Sequence, residues 1–310
     1  MTFSVTILGS NSAVPAHGRH PSAQVVNVKD SLYLIDCGEG TQMQFHNSGV
    51  RWSRIQQIFI SHLHGDHYFG LIGLLSTYHL LKRNRPLDVF GPSGLEEIIN
   101  LQLKAGNTTL NYPLTFHVVD TTSNKKIFED KSVEVYSIPL NHRIPCAGFL
   151  FVEKSNGRKI DRKKIESLNL PNHLMPHLKN GEDIVHPVTG ETLKNSSLTL
   201  PPPTSRSYAY CSDTAYSETV INCAQGANML YHDCTFDKAS AERARETFHG
   251  TTVDAAKVAT QANITQLLIG HFSARFDNLD SLLVEAREVF PNTELAVEGS
   301  VFDVPYSNKD

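Results

Sequence analysis

The run His-Leu-His-Gly-Asp-His at residues 62–67 constrains the fold more than any other stretch of the chain. It follows the apolar run Gln57–Ser61, which is typical of a short strand, and opens Asp66–Lys82, where apolar residues recur at helical spacing. Histidine and carboxylate side chains are zinc ligands, and a catalytic zinc site leaves one position open to water. The run therefore predicts a metal site at a strand-to-helix turn.

Four candidate ligands lie within this run. On a strand-like stretch His62 and His64 point the same way, so both can reach one metal. The turn at Gly65 then directs Asp66 and His67 toward a second metal. This division predicts a site for two metals rather than one.

Two metals need further ligands, and three candidates follow later apolar strands: His142, Asp213 and His271. Their common position after a strand is what a site at one edge of a sandwich requires. Two metals about 3.5–4 Å apart could share a hydroxide, position a phosphodiester and neutralise its developing charge. The pattern thus favours a metal-dependent phosphodiester hydrolase.

Strands occur in runs, and each half of the chain closes with helices, which predicts an α/β fold in which two packed sheets form an αββα sandwich. No Gly-x-Gly-x-x-Gly motif opens a helix, which argues against dinucleotide binding. The predicted strands are Ser4–Leu8, Ala23–Val28, Ser31–Ile35, Gln57–Ser61, Leu87–Phe90, Leu114–Val119, Ser132–Pro139, Ala147–Glu153, Ser207–Cys211, Met229–His232, Gln266–Ile269 and Glu294–Val297. The predicted helices are Thr41–Asn47, Asp66–Lys82, Leu95–Leu103, Ala239–Thr247, Val253–Ala262 and Asn278–Val289.

Residues 154–204 differ from the rest of the chain. They are polar, rich in Lys, Pro and Asn, lack long periodic runs and end at Pro201–Pro203. Such a stretch predicts a protruding arm inserted into one domain of residues 1–310. Its first segment, Lys154–Lys164, holds six basic residues and one acid, although the whole chain has a net charge of −4. We expect it to bind phosphates, with these candidate contacts: Lys159, Arg162, Lys163 and Lys164.

The five cysteines are odd in number and form no Cys-x-x-Cys pair, which argues against a disulfide framework and a cysteine zinc knuckle. Free cysteines favour a reducing compartment, and we expect the cytoplasm. The first residues have neither a basic n-region nor a long apolar h-region, so no signal peptide is predicted. No apolar run approaches the length that spans a bilayer, so no membrane partner is expected.

In five stretches the chain resembles the metallo-β-lactamase superfamily and, within it, the ribonuclease Z family of tRNA 3′-processing endonucleases. The first two of five stretches indicate the superfamily alone, and the last three indicate ribonuclease Z. In the family's order they are Asp36–Gln42, Phe59–His67, His232–Phe236, Phe248–Thr252 and His271–Arg275.

The resemblance implies two zinc ions per subunit and hydroxide attack on phosphorus, with Asp66 orienting or deprotonating the attacking group. It assigns His62, His64 and His142 to one zinc. It assigns Asp66, His67 and His271 to the other, with Asp213 bridging the two.

The resemblance also implies that His249 gives a proton to the leaving 3′-oxygen of the tRNA. The family supports this histidine with the acid of a His-Glu-Ala-Thr motif. Here Asp233 takes that place with a side chain one methylene shorter. Arg275 and Ser273 are expected phosphate contacts. Asp36 is expected to support the site rather than to bind metal.

Family likeness further implies a homodimer, in which the arm of one subunit grips the tRNA elbow and presents the RNA to the other subunit's site. Two stretches depart from the family. The loop Pro15–His20 lacks the lysine and asparagine of the Pro-x-Lys-x-Arg-Asn motif, which the family links to how the enzyme treats a CCA end. The arm segment Leu170–Pro176 has prolines but no Gly-Pro pair.

Two other functions fit parts of the pattern. The same metal chemistry could serve a small-molecule phosphodiesterase or another hydrolase of this fold. A non-catalytic RNA-binding module on a decayed metal fold is the third hypothesis, and the complete set of candidate ligands argues against it.

Overall fold

The computed structural model describes residues 2–155, 157–202 and 204–306. Asn156 and Pro203, which belong to the predicted arm, lie outside the described residues. The chain divides into two compact units. One contains Met1–Glu153 and Arg206–Lys309, and the other contains Lys154–Ser205. None of the helices in the described ranges combines the length and apolarity needed to cross a bilayer.

The first unit begins with six strands and four helices. In chain order they are β1 (Phe3–Gly9), β2 (Ala23–Val28), β3 (Ser31–Ile35), α1 (Thr41–Ser48), β4 (Gln57–Phe59), α2 (Gly65–Tyr68), α3 (Leu71–Leu80), β5 (Leu87–Gly91), α4 (Leu95–Ala105) and β6 (Leu114–Val118). They are followed by β7 (Lys126–Glu129), β8 (Val133–Pro139) and β9 (Ala147–Glu153).

The second unit, residues 154–205, has short elements. They are β10 (Lys159–Ile160), α5 (Arg162–Ser167), α6 (Met175–Lys179), β11 (Ile184–Val185), β12 (Thr192–Leu193), α7 (Asn195–Leu198) and β13 (Thr199–Leu200). The chain then returns to the first unit with β14 (Ser207–Cys211), α8 (Glu218–Cys223), β15 (Met229–Asp233), α9 (Ala241–Thr247), α10 (Thr252–Gln261), β16 (Gln266–Gly270), α11 (Asp280–Val289), β17 (Thr293–Leu295) and β18 (Val301–Asp303). Short 3₁₀ turns lie at Trp52–Arg54, Asn172–Leu174 and Lys238–Ser240.

The first unit contains two seven-stranded sheets, ordered β18-β1-β2-β3-β4-β5-β6 and β17-β16-β15-β14-β9-β8-β7. Strands β3 to β6 run parallel, as do β14 to β17, whereas the hairpin strands of each sheet are antiparallel. The last strand, β18, returns to the first sheet beside β1. Each sheet therefore combines a hairpin half with a parallel half.

A buried core joins the two sheets. Rings from both meet there, with centroids 5.5 Å apart for Phe59 and Phe149 and 5.8 Å apart for Tyr33 and Phe151. A second apolar cluster packs α8, α10 and α11 on one sheet, and a third packs α1, α3 and α4 on the other. The architecture is therefore the αββα sandwich predicted from the sequence.

The helix predicted over Asp66–Lys82 is two helices in the structure, α2 and α3. The reason lies at Gly70, whose N–H donates to the carbonyl of Cys37 at 2.9 Å. A Cβ at Gly70 would lie only 2.2 Å from the carbonyl oxygen of Gly38. This close approach of two backbones ends α2 and sets the site loop against the first motif of the chain. In the first unit, three short elements were not predicted: β7, β18 and α8. None of the short elements of the second unit was predicted either.

The second unit has a small apolar core of its own, although its composition is polar. Asn195 is buried in it, and its amide donates to the carbonyls of Leu178 and Glu182 at 2.8 and 3.0 Å. The buried apolar members are Ile165, Leu170, Leu178, Ile184 and Leu198. Residues 154–205 therefore form a folded insertion rather than an irregular loop.

Candidate metal centre

The candidate ligands follow strands of both sheets. The run of residues 62–67 follows β4, and His142 follows β8. Asp213 and His271 follow β14 and β16, which lie on either side of β15 in one parallel stretch. Because parallel strands end at the same edge of a sheet, these side chains meet at one edge of the sandwich.

The first group of potential ligands comprises His62, His64, His142 and Asp213, with one ligand atom from each within 4.8 Å of the others. The Nδ1 atom of His64 lies 3.0 Å from Nε2 of His62 and 3.2 Å from Nε2 of His142. Asp213 Oδ2 lies 3.5 Å from Nε2 of His62 and 3.8 Å from Nε2 of His142.

The second group is Asp66, His67 and His271. Oδ2 of Asp66 lies 3.5 Å from Nε2 of both histidines. The other carboxylate oxygen of Asp213, Oδ1, lies 3.0 and 3.1 Å from the same two nitrogen atoms. Asp213 therefore presents one oxygen to each group, which is the arrangement of a bridging ligand.

The ring orientations fit a metal. Nε2 of His67 and Nε2 of His271 are buried and form no hydrogen bond with any described residue. The opposite nitrogen atoms are held: Nδ1 of His67 donates to Asp36 at 2.7 Å, and Nδ1 of His142 donates to the carbonyl of Phe248 at 3.1 Å. A histidine whose Nδ1–H is held in this way presents the lone pair of Nε2, as metal-ligating histidines do.

The electrostatics also favour a cation. Burial works against a charged His271, but the Asp213 carboxylate beside it raises the pKa of His271 to about 10. Burial likewise opposes charging of His67, yet the carboxylate of Asp213 raises the pKa of His67 well above its usual value. Burial, followed by the neighbouring rings, lowers the pKa of His62. The carboxylates beside His67 and His271 thus supply negative charge that a bound metal ion would neutralise.

Asp36 anchors the base of the site without facing the ligand groups. Its Oδ2 accepts hydrogen bonds from His67 Nδ1 and from the hydroxyl groups of Tyr210 and Ser61, at 2.7, 2.7 and 2.9 Å. Its Oδ1 accepts from the Ser61 N–H at 2.8 Å. These contacts orient the ring of His67, which agrees with the supporting position expected for Asp36.

Backbone strain is concentrated in this region. Asp36, Asp213 and His271 have φ values of 54°, 50° and 61°. Non-glycine residues adopt this left-handed conformation rarely, and it costs about 1–3 kcal/mol where it is held by the surroundings. Each of these three residues directly follows a strand or lies one residue beyond it, so the strain turns their side chains toward the site.

His249 lies beside the two groups and forms a close pair with Asp233. Its Nδ1 lies 2.8 Å from Asp233 Oδ2, and the carboxylate of Asp233 is fully buried. The shorter side chain of Asp233 therefore reaches the histidine. His249 also belongs to a third possible ligand group with Asp213 and His271, so its role as proton donor rather than ligand is a proposal.

A cavity of about 610 Å³ opens over both groups and is lined by Asp66, His142, His249 and His271. It also exposes residues that the sequence reasoning missed. Arg143 lies with its Nη2 3.4 Å from Nε2 of His64. Arg243 and Thr247 line the cavity from one face of α9, four positions apart. The signal that could have found Arg143 was its place directly after His142.

The other expected substrate contacts do not all reach this cavity. Arg275 is exposed, and its guanidinium carbon lies 5.1 Å from the ring centre of Phe236. Ser273 Oγ accepts the Arg275 N–H at 3.4 Å. Neither residue lines the cavity. Arg19 is bound to Asn11 Oδ1 at 2.9 Å and to the carbonyl of Phe276, so it ties down the loop that carries it.

Within the second unit, the basic residues differ in their freedom. Lys164 donates to the carbonyl of Ser197 at 2.8 Å, and Arg158 donates to Thr199 Oγ1 at 2.7 Å. By contrast, three exposed cations of the basic segment Lys154–Lys164 form no side-chain hydrogen bond or ion pair with a described residue: Lys159, Arg162 and Lys163.

The two sheets and the paired ligand groups define a metallo-β-lactamase fold hydrolase. A solved metallo-β-lactamase fold protein of Bacillus subtilis aligns with 98% of this chain and 100% of its own at a TM-score of 0.68 and 17% identity. The human short-form tRNase Z structure aligns with 97% of this chain and 99% of its own at a TM-score of 0.71 and 27% identity.

Sequence relatives narrow the class. A ribonuclease Z of Bacteroides fragilis is 46% identical over 296 residues, which cover 96% of this chain and 97% of the relative. A family model described as the anti-Pycsar protein Apyc1 matches residues 3–162. The chain belongs to the ribonuclease Z family, and its residues 3–162 also fall within the family that the Apyc1 model describes. It is a metal-dependent endoribonuclease, and hence a phosphodiester hydrolase.

Proposed function

We propose that this enzyme removes the 3′ trailer of tRNA precursors with the help of two zinc ions and leaves a 3′-hydroxyl on the tRNA. One observation carries the proposal. The cavity that exposes two ligand groups joined by Asp213 also exposes His249, whose ring is held by Asp233. A water activated at the ligand groups and the proton donor His249 could thereby act on the same phosphodiester.

The ligand assignment follows from the two groups. His62, His64 and His142 would hold one zinc, and Asp66, His67 and His271 the other, with Asp213 shared. When bound, two zinc ions would supply Lewis acidity and a water of lowered pKa for attack on phosphorus.

The protein's own residues fix the attack. The backbone N–H of Ala13 donates to Oδ2 of Asp66 at 2.7 Å and holds this carboxylate at the cavity wall. Arg143 and Arg243 place two guanidinium groups on the same cavity, where they would neutralise phosphate oxygens. The substrate phosphate is thus held between metal ligands and cations.

His249 acts on the leaving group. The leaving 3′-oxygen of a ribose is a poor leaving group unless it receives a proton, and a positioned histidine is the commonest donor. Asp233 holds Nδ1 of His249, so Nε2 carries the exchangeable proton toward the cavity. The carboxylate stabilises the charged imidazole before the transfer, as in other histidine–carboxylate pairs.

Three further properties belong to the same proposal. We place the enzyme in the cytoplasm, which the free state of all five cysteines supports. We expect the folded insertion, residues 154–205, to act as a tRNA exosite through the unpaired cations Lys159, Arg162 and Lys163. We also expect a homodimer, and size measurement in solution would test it.

The test is cleavage of a pre-tRNA that carries a 3′ trailer, with mapping of the new 3′ end. We expect a zinc-dependent cut near the acceptor end, and a loss of about 10²–10⁴-fold in kcat for His249→Ala. A matched control is His117→Ala, because His117 is a half-exposed histidine that pairs with Asp88 and lines no part of this cavity. An enzyme that hydrolyses small phosphodiesters but leaves every pre-tRNA intact would support the small-molecule alternative instead.

A further inference from the structure

A second cavity, of about 600 Å³, adjoins the active-site cavity and shares His249 with it. Neighbouring residues of the chain face opposite cavities: His142 lines the first and Asn141 the second, and Thr247 lines the first and Phe248 the second. The volume lies in the range of binding sites for small organic groups. The proton donor therefore stands in the wall between two chambers.

Two aromatic rings are exposed at the second cavity. Tyr216 is 36% exposed and Phe248 is 39% exposed. Tyr216 is held in place, because its hydroxyl donates to Gln261 Oε1 at 2.7 Å. Phe248 has a φ of 60° and its carbonyl accepts from Nδ1 of His142, so a strained backbone fixes its position too. Exposed rings that are fixed in this way are suited to stacking against nucleic-acid bases.

The charge of the cavity is complementary to RNA. Arg245 and Lys257 line it, and neither side chain forms a hydrogen bond or ion pair with any residue the structure describes. The one carboxylate in the lining, Asp254, is already engaged, because its Oδ2 accepts from the N–H and the hydroxyl of Thr251 at 3.2 and 2.7 Å. Two cations against one carboxylate, beside two aromatic rings, match a phosphate linked to a base.

We propose that this second cavity binds the last nucleotide of the tRNA, the one whose 3′-oxygen leaves in the reaction. The inference rests on the proposed function above. His249 must reach that oxygen, so the nucleotide that carries it lies next to His249. The first cavity holds the metal ligands and the scissile phosphate, which leaves the second for the base of this nucleotide. Tyr216 then binds this nucleotide by stacking and accepts any of the four bases.

The experiment removes the base and the ring separately. Pre-tRNAs are prepared with an abasic ribose either at the last tRNA nucleotide or at the first trailer nucleotide, and kcat/KM is measured for each. For the wild-type enzyme we expect the abasic tRNA nucleotide to lower kcat/KM about tenfold. For Tyr216→Ala we expect a similar loss with the intact substrate and no further loss with the abasic one. Tyr216→Phe keeps the ring and should retain sensitivity to the missing base.

Tyr136→Ala is the matched control, since Tyr136 lies on β8 and lines neither cavity. It should retain the full tenfold sensitivity. If the wild type cleaves the abasic substrate as fast as the intact one, the subsite is wrong although the cleavage activity stands. Equal sensitivity of wild type and Tyr216→Ala to the missing base would also overturn it. If no pre-tRNA is cleaved at all, the proposed function fails first.

Discussion

Substitution of Asp233 by Asn tests the coupling between this carboxylate and the proton donor. The side chain is fully buried and all of its acceptor positions are used. Oδ2 faces His249 Nδ1 at 2.8 Å and the Thr214 N–H at 3.1 Å, and Oδ1 accepts from the N–H and hydroxyl of Thr235 at 2.8 and 2.7 Å. Asn has the same shape but no charge, so the variant removes the stabilisation of a charged His249 with little change in volume.

The expected loss depends on the substrate. For pre-tRNA, whose leaving oxygen needs a proton, we expect kcat to fall about 10²–10⁴-fold, which is about 3–5 kcal/mol of transition-state stabilisation. For a diester with a nitrophenolate leaving group, which departs without a proton, we expect a much smaller loss. The assay compares single-turnover rates on both substrates at saturating enzyme. Equal losses on the two substrates would refute a role through the proton donor.

Asp233→Glu restores the residue of the family motif. It tests whether the fit of this side chain in its surroundings matters more than its agreement with the motif. The Asp233 carboxylate is fully buried, and both of its oxygen atoms already accept hydrogen bonds. One added methylene must therefore displace His249 or Thr235. We expect the unfolding free energy to fall by about 1–3 kcal/mol and the cleavage rate to fall as well. Denaturant melts and the same single-turnover assay measure the two effects. A Glu variant that is faster and as stable as the wild type would contradict this reading of the site.

Four further outcomes are expected. Zinc removal by chelation should abolish cleavage and lower Tm, and metal analysis should return about two ions per chain, since a value near one would reject the second ligand group. Asp36→Asn should weaken metal affinity about 10–100-fold in chelator competition, because the Nδ1 of a ligand loses its carboxylate. Gly70→Ala should lower the unfolding free energy by about 1–3 kcal/mol, whereas Gly106→Ala, whose nearest contact would be 3.5 Å, should change it little. Replacing Lys159, Arg162 and Lys163 by Glu should raise KM for pre-tRNA and leave hydrolysis of a small diester unchanged.

Much of the site could be predicted from sequence because its ligands sit at the ends of strongly patterned strands. Alternating apolar residues fixed the bounds of β2, β3, β9 and β14 as the structure has them. The candidate ligands His62, His64 and His67 are local to one turn, so their proximity needed no knowledge of the fold. His142, Asp213 and His271 are far apart in the chain, and only their shared position after strands pointed to a common edge.

The sequence could not predict residues that reach the cavities only through tertiary packing. Arg243 and Tyr216 reach the cavities through the placement of α9 and of the loop after β14, and no local pattern marks them. The basic run of the insertion gave the correct number of charges, but it did not show which basic side chains bond within the insertion and which do not. Arg158 and Lys164 donate hydrogen bonds within the insertion, whereas the exposed side chain of Lys163 forms none with a described residue. A charge count cannot distinguish these two states, because the acceptors are the hydroxyl of Thr199, 41 residues from Arg158, and the carbonyl of Ser197, 33 residues from Lys164.

The segment Phe248–His249 joins the two halves of the chemistry. The carbonyl of Phe248 holds Nδ1 of a candidate metal ligand, His142, and the next residue along the chain is the proposed proton donor, His249. The left-handed backbone at Phe248 makes both contacts possible at once, since it turns the carbonyl toward His142 while His249 points to Asp233. The proton donor is therefore fixed relative to the metal ligands by one peptide unit rather than by a long chain of packed residues. That arrangement gives the left-handed backbone at Phe248 a function, because it fixes the position of His249 relative to His142.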